Sequence, residues 1–328
     1  MRFGEMPDGS PVQRHRIEGG GLVAHVLSYG AVVQDLRLEG HDGPLVLGFE
    51  EFAPYLTDSP YFGAVVGRCA NRIGGGRFEL DGVAHQLDLN LNGRHHSHGG
   101  SKGVGKRNWI VESVAANSLT LRIDLADGEM GYPGNTTARC TYSCLEGGVF
   151  DIRLEAETDA PTLCNFAHHS YWNLDGGATT EDHVMQVDAD RMTVVDADFI
   201  PTGEARDVTG TRYDFRTERP IRDEVFIDHN LCLSDTRQPL RRIGHLRSLK
   251  SGVEMQMRST EPGLQVYDGY KLAVGPRGLG GRSYGASAGV ALEPQVWPDA
   301  INNDSFPSAV LRPGETYRQQ TQFSFNKE

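Results

Sequence analysis

Short runs in which apolar and polar residues take turns recur from one end of the chain to the other. Leu119 to Leu125, Phe150 to Ala156 and Val253 to Arg258 alternate strictly, and Tyr317 to Phe325 closes the chain with Phe323 and Phe325 on one face. A period of two puts one face of a strand in a core and the other in water. Turn signals separate the runs, among them Glu146-Gly147-Gly148, Asp175-Gly176-Gly177 and Glu261-Pro262-Gly263. No segment keeps a spacing of three and four with caps for three turns, and the best helical candidate is a short piece from Glu51 to Tyr55. Many antiparallel strands without helices predict an all-β fold, a large antiparallel β-sandwich with sheets packed face to face. No linker, composition shift or internal repeat divides the chain, and the glycine-rich stretch Gly275 to Gly289 reads as a loop between strands. Residues 1–328 are therefore expected to form a single domain.

Composition sharpens this picture. Glycine supplies 40 of the 328 residues, well above the usual share, as a domain with many tight turns requires. The net charge of −12 argues against partners that need a basic field, so neither nucleic acid nor an anionic membrane is expected. No run of 18 uncharged apolar residues is present to span a bilayer. The N-terminus has no apolar core and no small-residue cleavage site of the secretory kind. Five dispersed cysteines (Cys69, Cys140, Cys144, Cys164 and Cys232) read as reduced thiols, and the expected location is cytoplasmic.

Several motifs invite chemistry. Gly100-Ser101-Lys102-Gly103-Val104-Gly105-Lys106 approaches a phosphate-binding loop, but Arg107 follows where Ser or Thr would hold Mg²⁺. A strand then begins at Trp109 where a helix is needed, so the stretch reads as an ordinary glycine loop. Cys140 and Cys144 lie four apart in a strand and share a face, as two buried hydrophobe-like thiols. Histidines cluster in Arg94-His95-His96-Ser97-His98-Gly99-Gly100 and in His168-His169-Ser170-Tyr171-Trp172-Asn173-Leu174. Alternation puts His96 and His98 on one face and sets His168 against His169. At most one of that last pair can join a site, and no HExxH or paired-cysteine motif supports zinc or nickel; acid–base or sugar-binding imidazoles are the leading reading, ahead of solvated or core histidines and of a metal site. Glu293 is unusual as a carboxylate ending the apolar strand Val290-Ala291-Leu292 before a proline-punctuated loop with Trp297, and taken alone it reads equally as a loop-fixing or a catalytic group. With Asp228, Gln265, Asn71, Arg72 and two histidines it suits a neutral polyol, which needs hydrogen bonds on all sides and little net charge.

Taken in order, these segments resemble the aldose 1-epimerase (galactose mutarotase) family. The resemblance rests on Gly67-Arg68-Cys69-Ala70-Asn71-Arg72-Ile73 with Gly76-Arg77-Phe78, on Ser97-His98-Gly99-Gly100, and on His169-Ser170-Tyr171-Trp172-Asn173-Leu174. It continues through Asp228-His229-Asn230, Gly263-Leu264-Gln265-Val266-Tyr267, and Leu292-Glu293-Pro294-Gln295 followed by Trp297-Pro298-Asp299-Ala300. It runs from about Gly30 to Phe325. The chain departs from the family at Ser97, where a bulky apolar residue is usual, and at His168, where Asn is usual; both bear on the sugar preferred.

The resemblance implies an isomerase that interconverts the α and β anomers of a free aldose such as galactose or glucose. Glu293 would be the base for the anomeric hydroxyl and His169 the acid for the ring oxygen. Asn71, Arg72, His98, Ser170, Tyr171, Asp228 and Gln265 would bind the substrate. Ring opening and reclosure is neither redox nor carbanion chemistry, so no metal or organic cofactor is expected. The alternatives are a hexose-phosphate epimerase of the same fold, which needs several cations around the phosphate, a two-carboxylate glycoside-processing enzyme, and a sugar-binding protein without catalysis. Monomer and homodimer both remain open.

Overall fold

The computed structural model describes residues 1–221 and 226–327. Strands dominate, and every pairing between named strands is antiparallel. The largest sheet has nine strands in the order Ile110–Val114, Ser118–Leu125, Thr136–Leu145, Val149–Thr158, Tyr317–Lys327, Val253–Ser259, Arg241–Ser248, His183–Val187 and Arg219–Pro220. The alternating runs lie here, each extended by a residue or two at its ends. Leu119, Leu121, Ile123 and Leu125 are buried while the residues between them are not, so the pattern translates directly into a buried face.

A six-stranded sheet runs in the order Tyr171–Trp172, Val290–Gln295, Gly263–Tyr267, Asp228–Cys232, Arg191–Val195 and Pro201–Asp207. Its apolar residues Trp172, Val290, Leu292, Leu264 and Val266 join Phe323, Phe325, Met255 and Met257 of the nine-stranded sheet in one buried cluster. Trp172 is central, with ring centroids 4.6 Å from Phe323 and 5.8 Å from Phe325. A four-stranded sheet at the N-terminus, Arg2–Glu5 to Val33–Leu38, adds Ile17, Leu22, Ala24 and Val26 to the same cluster. The fold is thus all-β, with sheets face to face.

The helical candidate is present but displaced: the helix spans Ala53–Thr57, with Pro54 in its first turn. Proline has no N–H to lose there and a φ already suited to a helix, so it starts the helix later than the pattern predicts. Gly275 to Gly289 is a loop between Gly263–Tyr267 and Val290–Gln295, interrupted by one short turn of helix at Leu279–Gly281. Cys140 and Cys144 are buried in the core on one face of their strand. No helix among the described residues is long and apolar enough to cross a membrane.

Candidate active site

Alternation on the six-stranded sheet decides what faces the core and what faces a cavity on the other side. Leu264 and Val266 enter the core, which turns Gln265 and Tyr267 the other way. Register then sets Gln265 opposite Glu293 and Asp228 opposite Tyr267. At the sheet's end Tyr171 pairs with Ala291, and the adjoining strand Ala167–His169 brings His169 alongside. The rings of His169 and Tyr171, two residues apart, lie 5.2 Å from each other. Together they line a cavity of about 230 Å³ with Pro60, Tyr61, Asn71, Arg72, His98, Asp228, Tyr267, Lys271 and Glu293.

Two loops complete the wall. The short strands Arg72–Ile73 and His96–Ser97 pair, and just beyond them Asn71 and His98 clasp each other. The His98 amide donates to the Asn71 carbonyl at 2.9 Å, and the Asn71 amide donates to His98 Nδ1 at 3.2 Å. Both residues have positive φ, and Gly99 follows at φ +83, where an added Cβ would stand 1.7 Å from the Gly67 carbonyl oxygen. Only glycine permits that approach. The turn ends the strand before alternation can carry through, which corrects the expectation that His96 and His98 share a face. His98 faces the cavity, whereas His96 is buried with its Nε2 2.7 Å from the Tyr132 hydroxyl.

A backbone N–H can only donate, so Nδ1 of His98 must accept and Nε2 carries the proton. The ring is thereby fixed as a neutral donor. Burial, then the neighbouring His169 and Arg72, push its ionisation well below the ordinary histidine value.

The two carboxylates differ in their commitments. Asp228 accepts from Arg72 at 2.9 Å on one oxygen and from Gln265 Nε2 at 2.6 Å on the other. Glu293 is 2% exposed; its Oε1 lies 3.4 Å from His169 Nε2, and its Oε2 has no protein partner among the described residues. Burial first, then the like charge of Asp228, raise the Glu293 carboxyl well above its usual range, against a smaller opposing pull from Arg72. Burial lowers His169 to about 4. Both shifts favour the neutral forms, a carboxylic acid and an imidazole in contact, which are one proton transfer away from the ion pair.

Of the residues singled out from sequence, Asn71, Arg72, His98, His169, Tyr171, Asp228 and Glu293 line the cavity. Gln265 acts one step back, holding Asp228. Ser170 does not face the cavity: its hydroxyl lies 2.7 Å from His168 Nε2 in the core. His168, with Nδ1 3.4 Å from the Tyr142 hydroxyl, is likewise turned away from His169. Tyr61, Tyr267 and Lys271 were not singled out. The Tyr61 ring lies 5.0 Å from that of His98 and 6.0 Å from that of His169. Trp297 and Asp299 serve the frame, the indole donating to the Pro262 carbonyl at 2.9 Å and Asp299 accepting from the Gly74 amide at 3.0 Å.

His98, His169 and Glu293 offer ligand atoms all within 4.8 Å of one another, the one such group among the described residues. That is close enough for a metal ion, yet His98 presents an N–H to the cavity where a ligand needs a lone pair.

The aldose 1-epimerase family model matches residues 13–324. Galactose mutarotase of Bos taurus is 36% identical over 338 aligned residues, covering 99% of this chain and 97% of its own. Aldose 1-epimerase of Escherichia coli strain K12 is 30% identical, with 98% and 97% covered. Among solved structures, an aldose epimerase homologue from C. elegans superposes with a TM-score of 0.90 at 31% identity, covering 96% of this chain and 99% of that one.

Proposed function

The chain belongs to the aldose 1-epimerase family, and from that premise we propose that it interconverts the anomers of a free aldose with Glu293 as base and His169 as acid. The observation that carries the assignment is the contrast between the carboxylates: Asp228 has both oxygens bound, while Glu293 keeps one free beside an imidazole. Glu293 takes the proton of the anomeric hydroxyl as the bond from C1 to the ring oxygen breaks, and His169 gives that oxygen a proton. The open aldehyde turns about its C1–C2 bond. Reclosure on the other face runs the transfers backwards, which calls for a pair able to hold its proton on either member. His98, as a fixed donor, and Arg72 are placed to meet the negative charge that develops on oxygen. Asp228, Asn71 and Tyr171 receive the remaining hydroxyls, and Gln265 supports Asp228.

Polarimetry on freshly dissolved α-galactose and α-glucose tests this reading: a rate no faster than buffer for both sugars would refute it. Two further outcomes are expected. Because the donor tautomer of His98 opposes metal ligation, activity should survive exhaustive chelation and elemental analysis should find no stoichiometric zinc or nickel. Loss of activity that one metal restores would overturn the mechanism. Free aldoses should also bind better than their 6-phosphates at low and high salt alike, since the cavity's arginine is already paired and no cluster of cations lines it for a dianion; tighter phosphate binding would point to the phosphate epimerase. We also propose that the protein is cytoplasmic and that residues 1–328 form one domain; a single cooperative unfolding transition would support the single domain.

A further inference from the structure

Lys271 is the one cavity-lining cation, among the described residues, that has no carboxylate. Arg72 is committed to Asp228, but among the described residues no ion pair or side-chain hydrogen bond involves the Lys271 ammonium. Its position is built rather than incidental. Asp268 accepts the Tyr270 amide at 3.1 Å and the Ile227 amide at 3.1 Å, and the Tyr267 hydroxyl accepts the Lys271 amide at 3.1 Å. The ammonium sits 5.0 Å from the ring centre of Tyr270 and 5.4 Å from that of Phe199, between two separate segments. Contacts with ring faces hold a cation without neutralising it. Glu293 lies buried at the floor of the cavity and Lys271 is exposed at its mouth.

We propose that Lys271 forms a subsite for a carboxylate on the sugar, so that hexuronates, aldoses whose C6 is a carboxylate, are substrates alongside neutral aldoses. The proposal rests on the epimerase reading. In this reading the anomeric centre sits at Glu293 and His169 and the C5 substituent points toward the exposed lysine, where a single ammonium would meet it. One lysine matches a monoanion. A phosphate dianion would have only the same single counter-charge.

The test is mutarotation of galacturonate, galactose and galactose 6-phosphate by wild type, Lys271→Met and Lys271→Glu. Met keeps the apolar stem against Phe199 and Tyr270 while removing the charge. At low salt, wild type should turn over galacturonate with kcat/KM no lower than galactose, and the ratio of the two should fall as salt is added. In Lys271→Met that ratio should drop about fivefold, and in Lys271→Glu further. A ratio that neither variant moves overturns the proposal, as does galacturonate turned over ten times more slowly than galactose. A larger advantage for the 6-phosphate overturns it in favour of a phosphate site. In all three cases turnover of galactose or glucose leaves the epimerase reading standing, whereas failure on both neutral sugars removes both.

Discussion

Replacing Glu293 with Gln is expected to slow anomer interconversion by about 10²-fold or more while sugar still binds. Gln keeps the shape of the side chain and a hydrogen bond but has no basicity. His169→Asn should lose rate on a similar scale, because the ring oxygen would depart without its proton. Both groups serve one shuttle, so the double variant should be far less than additive, as titration calorimetry and polarimetry on the set would show. The pH dependence separates them. Wild type should give a bell: below the lower apparent pKa of the pair no base remains, and above the upper no acid remains. In Glu293→Gln the residual rate should decline as pH rises, since His169 must be charged and burial holds it near 4. In His169→Asn it should climb with pH through the raised Glu293 ionisation. Stability follows the same sign. A carboxyl raised by folding favours its protonated form, so the contribution of Glu293 to stability is lost as pH climbs from the unfolded value of about 4.3 through the folded one. Glu293→Gln should escape that loss, and its advantage in denaturant midpoint should grow with pH. A residual rate that rises in Glu293→Gln would reverse the assignment of acid and base.

Trp172→Ala is expected to cost about 3–5 kcal/mol of stability, among the largest effects of any single truncation in this chain. The side chain is fully buried and joins the two largest sheets through Phe323 and Phe325. Its strand also carries Tyr171 into the cavity, so a collapse around the void should raise KM for the sugar as well. Trp172→Phe should cost much less. It keeps a ring against Phe323, and it removes a buried indole N–H that has no partner among the described residues. Urea unfolding of both variants checks the ordering; Trp172→Ala within 1 kcal/mol of wild type would contradict this account of how the sheets are joined.

Strand patterning was legible because burial of one face leaves a period of two in the sequence, and Ser118–Leu125 and Tyr317–Lys327 obey it. The same alternation extends to the cavity wall. It separates His168 from His169, and by that logic it also places Ser170 with His168, away from the cavity. It puts Tyr267 on the face of Gln265 too, a signal by which Tyr267 could have been found. Where alternation stops, sequence misleads: the left-handed turn at His98 and Gly99 sends His96 and His98 to different places. Tyr61 and Lys271 sit in loops, where no periodicity says which way a side chain points. The commitment of Asp228 to Arg72 and Gln265 depends on contacts across 156 and 37 residues of chain and was invisible for that reason.

The most direct test of anomer interconversion by ring opening is exchange NMR of galactose in D₂O with purified protein at catalytic concentration. The account predicts α–β exchange of the anomeric proton well above the buffer rate, with hydrogen retained at both C1 and C2, because only hydroxyl and ring-oxygen protons move. Exchange no faster than buffer, or deuterium appearing at C2, would contradict it.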